Sequence, residues 1–93
     1  MGYFILGKCQ QFGSGSVNYI VDSGYFLCWS GVTDLPETYG GFLESVVPDK
    51  KGTPNFRKQT FTSQTPPYKV YTRIMWGGSG QPWGGNWTAW KEL

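Results

Sequence analysis

The chain has no histidine, which is the commonest general base, so a hydrolytic site would have to be built on its six carboxylates. They are Asp22, Asp34, Glu37, Glu44, Asp49 and Glu92. Hydrolysis of a glycosidic bond needs two carboxyl groups facing each other across a cleft, about 5–5.5 Å or 6.5–9.5 Å apart. Asp34 and Glu37 are close in the sequence, but they lie in a turn where Thr33 or Asp34 is explained as a helix cap. We therefore predict no catalytic residues and no enzyme.

The two cysteines, Cys9 and Cys28, do not have the spacing of a zinc or redox motif. Both lie in apolar or strand-like surroundings, which favours buried free thiols, and a disulfide between them is the alternative. No calcium loop or phosphate-binding loop is present. We predict no metal and no cofactor. The first residues lack the basic stretch of a secretory signal, so no secretion is expected.

Aromatic side chains replace charge in the composition. Five tryptophans, six tyrosines and six phenylalanines make up 18% of the chain, and charged residues only 15%, against about 25% in an average protein. Exposed rings give much contact area for little lost rotamer freedom, so the composition indicates a binding surface. The net charge of +2 is too small for the phosphate contacts of nucleic-acid binding, and no apolar run is long enough for membrane insertion.

The elements that must position these rings are short strands separated by turns. Strands are predicted over residues 3–6, 17–21, 25–29, 42–47, 56–62 and 68–76, and at most one helical turn over 33–39. The strands at 56–62 and 68–76 form a hairpin with the connection 63–67. This pattern predicts an all-β fold, a small antiparallel β-sandwich or open barrel of six to seven short strands with at most one helical turn.

The strand at 68–76 has alternating residues, which divide between the two faces of a sheet. One face holds Tyr68, Val70, Thr72, Ile74 and Trp76, and the other holds Lys69, Tyr71, Arg73 and Met75. Because the second set is more polar, it is predicted to be the outer face.

The order and spacing of several motifs resemble the knob domain of R-type pyocin and phage tail fibres. The motifs are Gln59 before the aromatic Phe61, Tyr71 two residues before Arg73, and the closing Trp87-Thr88-Ala89-Trp90-Lys91-Glu92-Leu93. Upstream, Asn18-Tyr19-Ile20, Ser23-Gly24-Tyr25, Leu35-Pro36 and Gly41-Phe42-Leu43-Glu44-Ser45 are also similar. The resemblance covers residues 13–93. We predict a single domain over residues 1–93, in which residues 1–12 could be a lead-in segment from the fibre shaft.

The resemblance implies a domain of a virion tail fibre, made in the host cytoplasm. It implies a homotrimer that touches a bacterial surface through a host polysaccharide of the lipopolysaccharide or teichoic-acid type. The domains of such fibres either bind the receptor or serve as structural units of the shaft.

The candidate glycan-binding residues are Trp83, Trp76, Asn86, Tyr71 and Arg73. Trp83 follows a proline between glycines, so it either contacts sugar or folds over the core as a lid. Trp76 could line the same surface, and the amide of Asn86 can bridge sugar hydroxyls. Arg73, beside Tyr71, is interpreted first as a hydrogen-bonded strut between strands, and second as an anion-binding residue.

Three residues are predicted to be structural: Gln59, Trp87 and Trp90. Gln59 lies on the strand next to Arg73. Trp87 and Trp90 are three apart on a predicted strand, so they point to opposite faces, one into the core and one to a subunit interface or outer surface.

The favoured function is non-enzymatic adhesion by a trimeric fibre domain, in which weak aromatic sites are multiplied by several copies. A chain of this size has a thin core, and subunit contact would bury the surplus rings. The alternatives are a purely structural trimerisation or spacer domain and a monomeric carbohydrate-binding module of a lytic enzyme.

Overall fold

The structure, a computed structural model, describes residues 9–47, 56–76 and 86–93. The strands are β1 (Cys9–Phe12), β2 (Gly15–Ser16), β3 (Gly24–Cys28), β4 (Val32–Thr33), β5 (Gly41–Val46), β6 (Phe56–Ser63), β7 (Val70–Trp76) and β8 (Lys91–Glu92). Among these residues the helical structure is limited to one 3-10 turn, Val17–Tyr19. The predicted all-β class is confirmed, and the described strands do not close into a barrel.

Six strands form one sheet in the order β1-β3-β5-β6-β7-β8, and β2 and β4 form a small second sheet. Neighbours from β3 to β8 pair antiparallel, as predicted. β1 pairs parallel with β3, and β2 parallel with β4. A parallel pair needs a crossover rather than a tight turn. Residues 13–23, which include β2 and the 3-10 turn, provide this crossover.

The predicted strands at 25–29, 42–47, 56–62 and 68–76 correspond to β3, β5, β6 and β7. The predicted hairpin is present, with registers from Phe56↔Trp76 to Thr62↔Val70. The candidate helical turn at 33–39 does not form, because Thr33 belongs to β4 and Asp34 has a φ of 67°. The predicted strand at 3–6 lies outside the described residues.

The strand predicted over 17–21 is wrong, because residues Val17–Tyr19 form the 3-10 turn. The hydroxyl oxygen of Ser16 accepts a hydrogen bond from the backbone N–H of Asn18 and caps the turn. Val17 and Ile20 are both buried. Their spacing of three places them on one side of a 3-10 turn, whereas in a strand they would point to opposite faces.

The core lies against one face of the large sheet, called here the inner face. Its buried members are Val17, Ile20, Phe26, Cys28, Val32, Leu43 and Phe61, with Phe12, Leu35, Tyr71 and Trp90 packed against them. Phe26, Leu43 and Phe61 come from three adjacent strands, whereas Val17, Ile20 and Val32 come from the turn and the small sheet. The crossover and β4 therefore cover the inner face, and the two layers make a small sandwich.

Both cysteines are free thiols. Cys28 is buried, and burial raises the pKa of its thiol to about 11, with a smaller effect of Cys9. The prediction of a buried thiol is therefore correct for Cys28. It is wrong for Cys9, which is exposed because β1 is the edge strand of the sheet.

Candidate functional site

A polar network lies inside the domain, centred on Gln59, which is fully buried on β6. Its side-chain oxygen accepts hydrogen bonds from Nε and Nη2 of Arg73 at 3.0 and 2.8 Å. Its side-chain nitrogen donates to the carbonyl of Val17 at 2.7 Å. Because Gln59 and Arg73 are register partners, the network joins β6, β7 and the 3-10 turn.

The guanidinium of Arg73 lies between two indole rings. Its carbon is 4.0 Å from the ring centroid of Trp87 and 4.4 Å from that of Trp90. Nη2 also donates to the side-chain oxygen of Asn18 at 2.8 Å. Burial lowers the pKa of Arg73 to about 10, partly opposed by the charge of Asp34. With these partners, Arg73 holds the end of the chain against the sheet.

The prediction that Tyr71 and Arg73 lie on the outer face is wrong. Arg73 is only 6% exposed, whereas Ile74 and Trp76 are 48% and 57% exposed. The more polar set of β7 residues was expected on the outer face. That expectation fails because buried polar side chains on the inner face find hydrogen-bond partners at the 3-10 turn and cation–π partners in two indole rings.

A second buried arginine, Arg57, was not among the sequence candidates. Its Nη1 donates to the carbonyls of Asn18 and Ile20 at 3.0 and 2.8 Å. Its guanidinium is 5.2 Å from the ring of Trp87. The inner face of β6 carries every second residue, namely Arg57, Gln59 and Phe61. This period of two is the sequence signal that could have indicated that Arg57 is buried.

The prediction that Trp87 and Trp90 point to opposite faces is wrong. Both are half-buried, and both rings contact Arg73. Trp87 forms only an isolated bridge with Met75, and residues 88–90 are not strand, so alternation does not apply. The indole N–H of Trp90 donates to the carbonyl of Asp34 at 2.9 Å.

Tyr71 is half-buried, and its hydroxyl donates to the carboxylate of Glu37 at 2.5 Å. This hydrogen bond is the main cause that raises the pKa of Tyr71 to about 12. The same bond is the main cause that lowers the pKa of Glu37, with a smaller effect of Ser63.

We expect the Tyr71 phenol to ionise only above the ordinary tyrosine range in the folded protein, because its hydrogen bond to Glu37 raises its pKa. Since its folded pKa of about 12 exceeds the ordinary value, this bond stabilises the fold fully below pH 10 and is lost as pH rises to 12. The lowered pKa of Glu37 means that the bond is lost on the acid side only as pH falls through that pKa. Absorbance at 295 nm follows the phenols. Tyr71→Phe should remove the absorbance step near pH 12, and a step that remains there in this variant contradicts the assignment.

The outer face of the large sheet carries the uncovered rings. Within the described residues no element of this chain covers that face. Its exposed large side chains are Tyr25 (42%), Phe42 (52%), Val46 (45%), Phe56 (63%), Ile74 (48%) and Trp76 (57%). Exposed apolar faces of this kind are typical of interaction sites on small proteins.

Trp76 and Asn86 lie together at one end of the sheet. Trp76 is at the end of β7, and its backbone N–H donates to the carbonyl of Asn86 at 3.3 Å. Both are exposed. Trp83 lies outside the described residues. Of the sequence candidates, Trp76 and Asn86 can therefore reach a ligand, whereas Arg73 has its partners inside the domain.

Two depressions mark the outer face. The larger, about 370 Å³, lies over β3, β5 and β6, and its lining includes Cys9, Tyr25, Phe42, Glu44, Thr60 and Thr62. The smaller, about 150 Å³, is lined by Val46, Phe56, Arg57, Lys58 and Ile74.

The described residues include no group of three or more His, Cys, Asp or Glu side chains placed to hold a metal. They also include no helix long and apolar enough to cross a membrane.

The fold is similar to that of a solved fibre structure. A C-terminal fragment of the P. aeruginosa R1 pyocin fibre superposes with a TM-score of 0.64 at 23% sequence identity, over 90% of this chain and 21% of that one. This chain therefore spans about a fifth of the fibre fragment. No family model matches the chain, and no curated protein matches it. The likeness shows a tail-fibre-like fold.

Proposed function

We propose that this chain is a domain of a tail fibre of a phage or phage-tail-like particle, and that it contributes to attachment to a host-surface glycan without enzymatic activity. The observation that carries the proposal is the pyocin-fibre fold over 90% of the chain, combined with an outer face of uncovered rings. In a fibre, several weak contacts to a repetitive polysaccharide act together, so each site needs only modest affinity.

The apolar end of the outer face, defined by Val46, Phe56, Ile74 and Trp76, fits a second copy of this chain in a homotrimer. These side chains are about half exposed, and burying a large apolar side chain completely contributes about 1.5–3 kcal/mol. Covering all four would thus contribute about 3–6 kcal/mol per chain. That gain matters for a domain of this size, whose own stability lies near the lower end of about 5–15 kcal/mol.

Sedimentation tests the assembly. We expect about three times the 10.4 kDa of one chain, and Phe56→Ser should shift the equilibrium towards the monomer. The matched control is Tyr39→Ser, because Tyr39 and Phe56 are 66% and 63% exposed but Tyr39 lies in the connection between β4 and β5. A monomer at all concentrations contradicts the trimer.

Cell binding tests attachment. The labelled protein is mixed with a panel of Gram-negative and Gram-positive cells, with purified lipopolysaccharide or teichoic acid as competitor. We expect binding that the matching polysaccharide removes. A trimer that binds no cell favours the spacer role, and a monomer that binds glycan favours a carbohydrate-binding module of a lytic enzyme.

A further inference from the structure

The larger depression of the outer face combines rings with polar groups in a regular grid. On one row Tyr25 is the register partner of Glu44, and Glu44 that of Thr60. On the next row on the same face, Phe42 is the partner of Thr62. Because partners on adjacent strands lie about 4.5–5.5 Å apart, the carboxylate and two hydroxyls sit beside the two rings. We call this site the Tyr25/Phe42 depression.

The polar groups of the Tyr25/Phe42 depression are available to a ligand. Across residues 9–47, 56–76 and 86–93, the Glu44 carboxylate and the hydroxyls of Thr60 and Thr62 have no side-chain hydrogen bond or ion pair. Glu44 is exposed and the threonines are half-buried. A carboxylate accepts hydrogen bonds, and a threonine hydroxyl both donates and accepts.

This composition does not suit a protein partner. The cores of protein interfaces are depleted of charged residues, and covering Glu44 without a cation would leave a desolvated charge. The lining of the apolar end contains the cationic Arg57 and Lys58 but no acidic side chain, so a partner there would cover no carboxylate. The two ends therefore fit different occupants.

We infer that the Tyr25/Phe42 depression binds one neutral pyranose unit of the host glycan, an inference that rests on the proposed function. A pyranose has a C–H face, which suits the partly negative face of a ring, and hydroxyls that can pair with Glu44, Thr60 and Thr62. The volume of the Tyr25/Phe42 depression, about 370 Å³, is within the range of small-molecule sites, about 300–1,000 Å³. The negative charge of Glu44 disfavours uronic acids and phosphorylated sugars.

Cys9 provides a direct readout, because it is an exposed free thiol that lines the depression, whereas Cys28 is buried. We measure the alkylation rate of Cys9 by iodoacetamide with added methyl β-glycosides of glucose, galactose or N-acetylglucosamine. At least one neutral glycoside should slow the reaction, and methyl glucuronide should not. If no neutral glycoside slows it, the inference is overturned.

Three variants locate the contact. Phe42→Ala should weaken protection about 2- to 13-fold, since an aromatic contact contributes about 0.5–1.5 kcal/mol. Glu44→Gln should weaken binding of the neutral glycoside about fivefold and admit methyl glucuronide. Tyr19→Ala is the control, because Tyr19 is 63% exposed on the 3-10 turn, away from this face.

The outcomes separate this inference from the proposed function. Cell binding that persists undiminished in Phe42→Ala, and that the matching polysaccharide still removes, overturns the sugar site and leaves the attachment role in place. Protection of Cys9 by a neutral glycoside in a protein that binds no cell supports the sugar site and contradicts the attachment role.

Discussion

Replacing Gln59 with leucine should destabilise the domain by about 3–5 kcal/mol, because each buried group left without its hydrogen-bond partner costs about 1–3 kcal/mol, and more where the group is charged. The leucine has a similar volume but leaves the Arg73 guanidinium without its shared acceptor and the Val17 carbonyl without its donor. At about 4–8 °C per kcal/mol for a domain of this size, the melting temperature should fall by at least about 12 °C. Thermal and urea unfolding followed by circular dichroism measure the loss.

Two further variants show that the cause is the polar network. Lys58→Gln, at the neighbouring position on the outer face, should stay within about 0.5 kcal/mol of the parent protein. The double variant Gln59→Leu with Arg73→Met removes the charge together with its acceptor, and should be more stable than Gln59→Leu alone by at least about 1 kcal/mol. A Gln59→Leu protein that unfolds within about 1 kcal/mol of the parent contradicts this account.

Gly40→Ala is expected to have the other large effect, about 2–5 kcal/mol, from backbone strain and steric overlap together. Gly40 has a φ of 82°, and a Cβ there would lie 2.3 Å from the carbonyl oxygen of Cys28. That oxygen belongs to β3, the register neighbour of β5, so the overlap would force backbone apart where the two strands meet. Urea unfolding measures the effect.

The matched control is Gly13→Ala. At Gly13 the nearest atom to a built Cβ is Cδ1 of Trp29 at 4.0 Å, so the change should stay within about 0.5 kcal/mol. Equal stabilities for Gly40→Ala and Gly13→Ala would show that the backbone near Gly40 relaxes without cost.

Much of the fold could be predicted from the sequence, because strands such as β5 and β6 are short runs of β-forming residues bounded by turn residues. The parallel pairing of β1 with β3 could not be predicted, since the residue types of Cys9–Phe12 do not indicate which strand they pair with or in which direction. The 3-10 turn at Val17–Tyr19 was missed because two apolar residues three apart also occur by chance in a strand. Tertiary packing of Val17 and Ile20 decides between the two.

Less of the candidate site was predictable. The sequence indicated an excess of rings but gave the wrong face for β7, because polarity alone cannot show that Arg73 is buried between Trp87 and Trp90. Tyr25 and Phe42 were assigned to strands but not to a site, since their proximity to Glu44 depends on the register of β3 and β5. Register is a property of three-dimensional packing.

The position of Trp87 and Trp90 has a consequence for biosynthesis. These indoles enclose Arg73 and complete the inner layer, yet the ribosome adds them after β1 through β7. Until they leave the ribosomal exit tunnel, the guanidinium of Arg73 lacks its two indole contacts and the core of the nascent sheet is incomplete. Stable folding should therefore wait for release of this segment, later than for domains that are completed by local contacts.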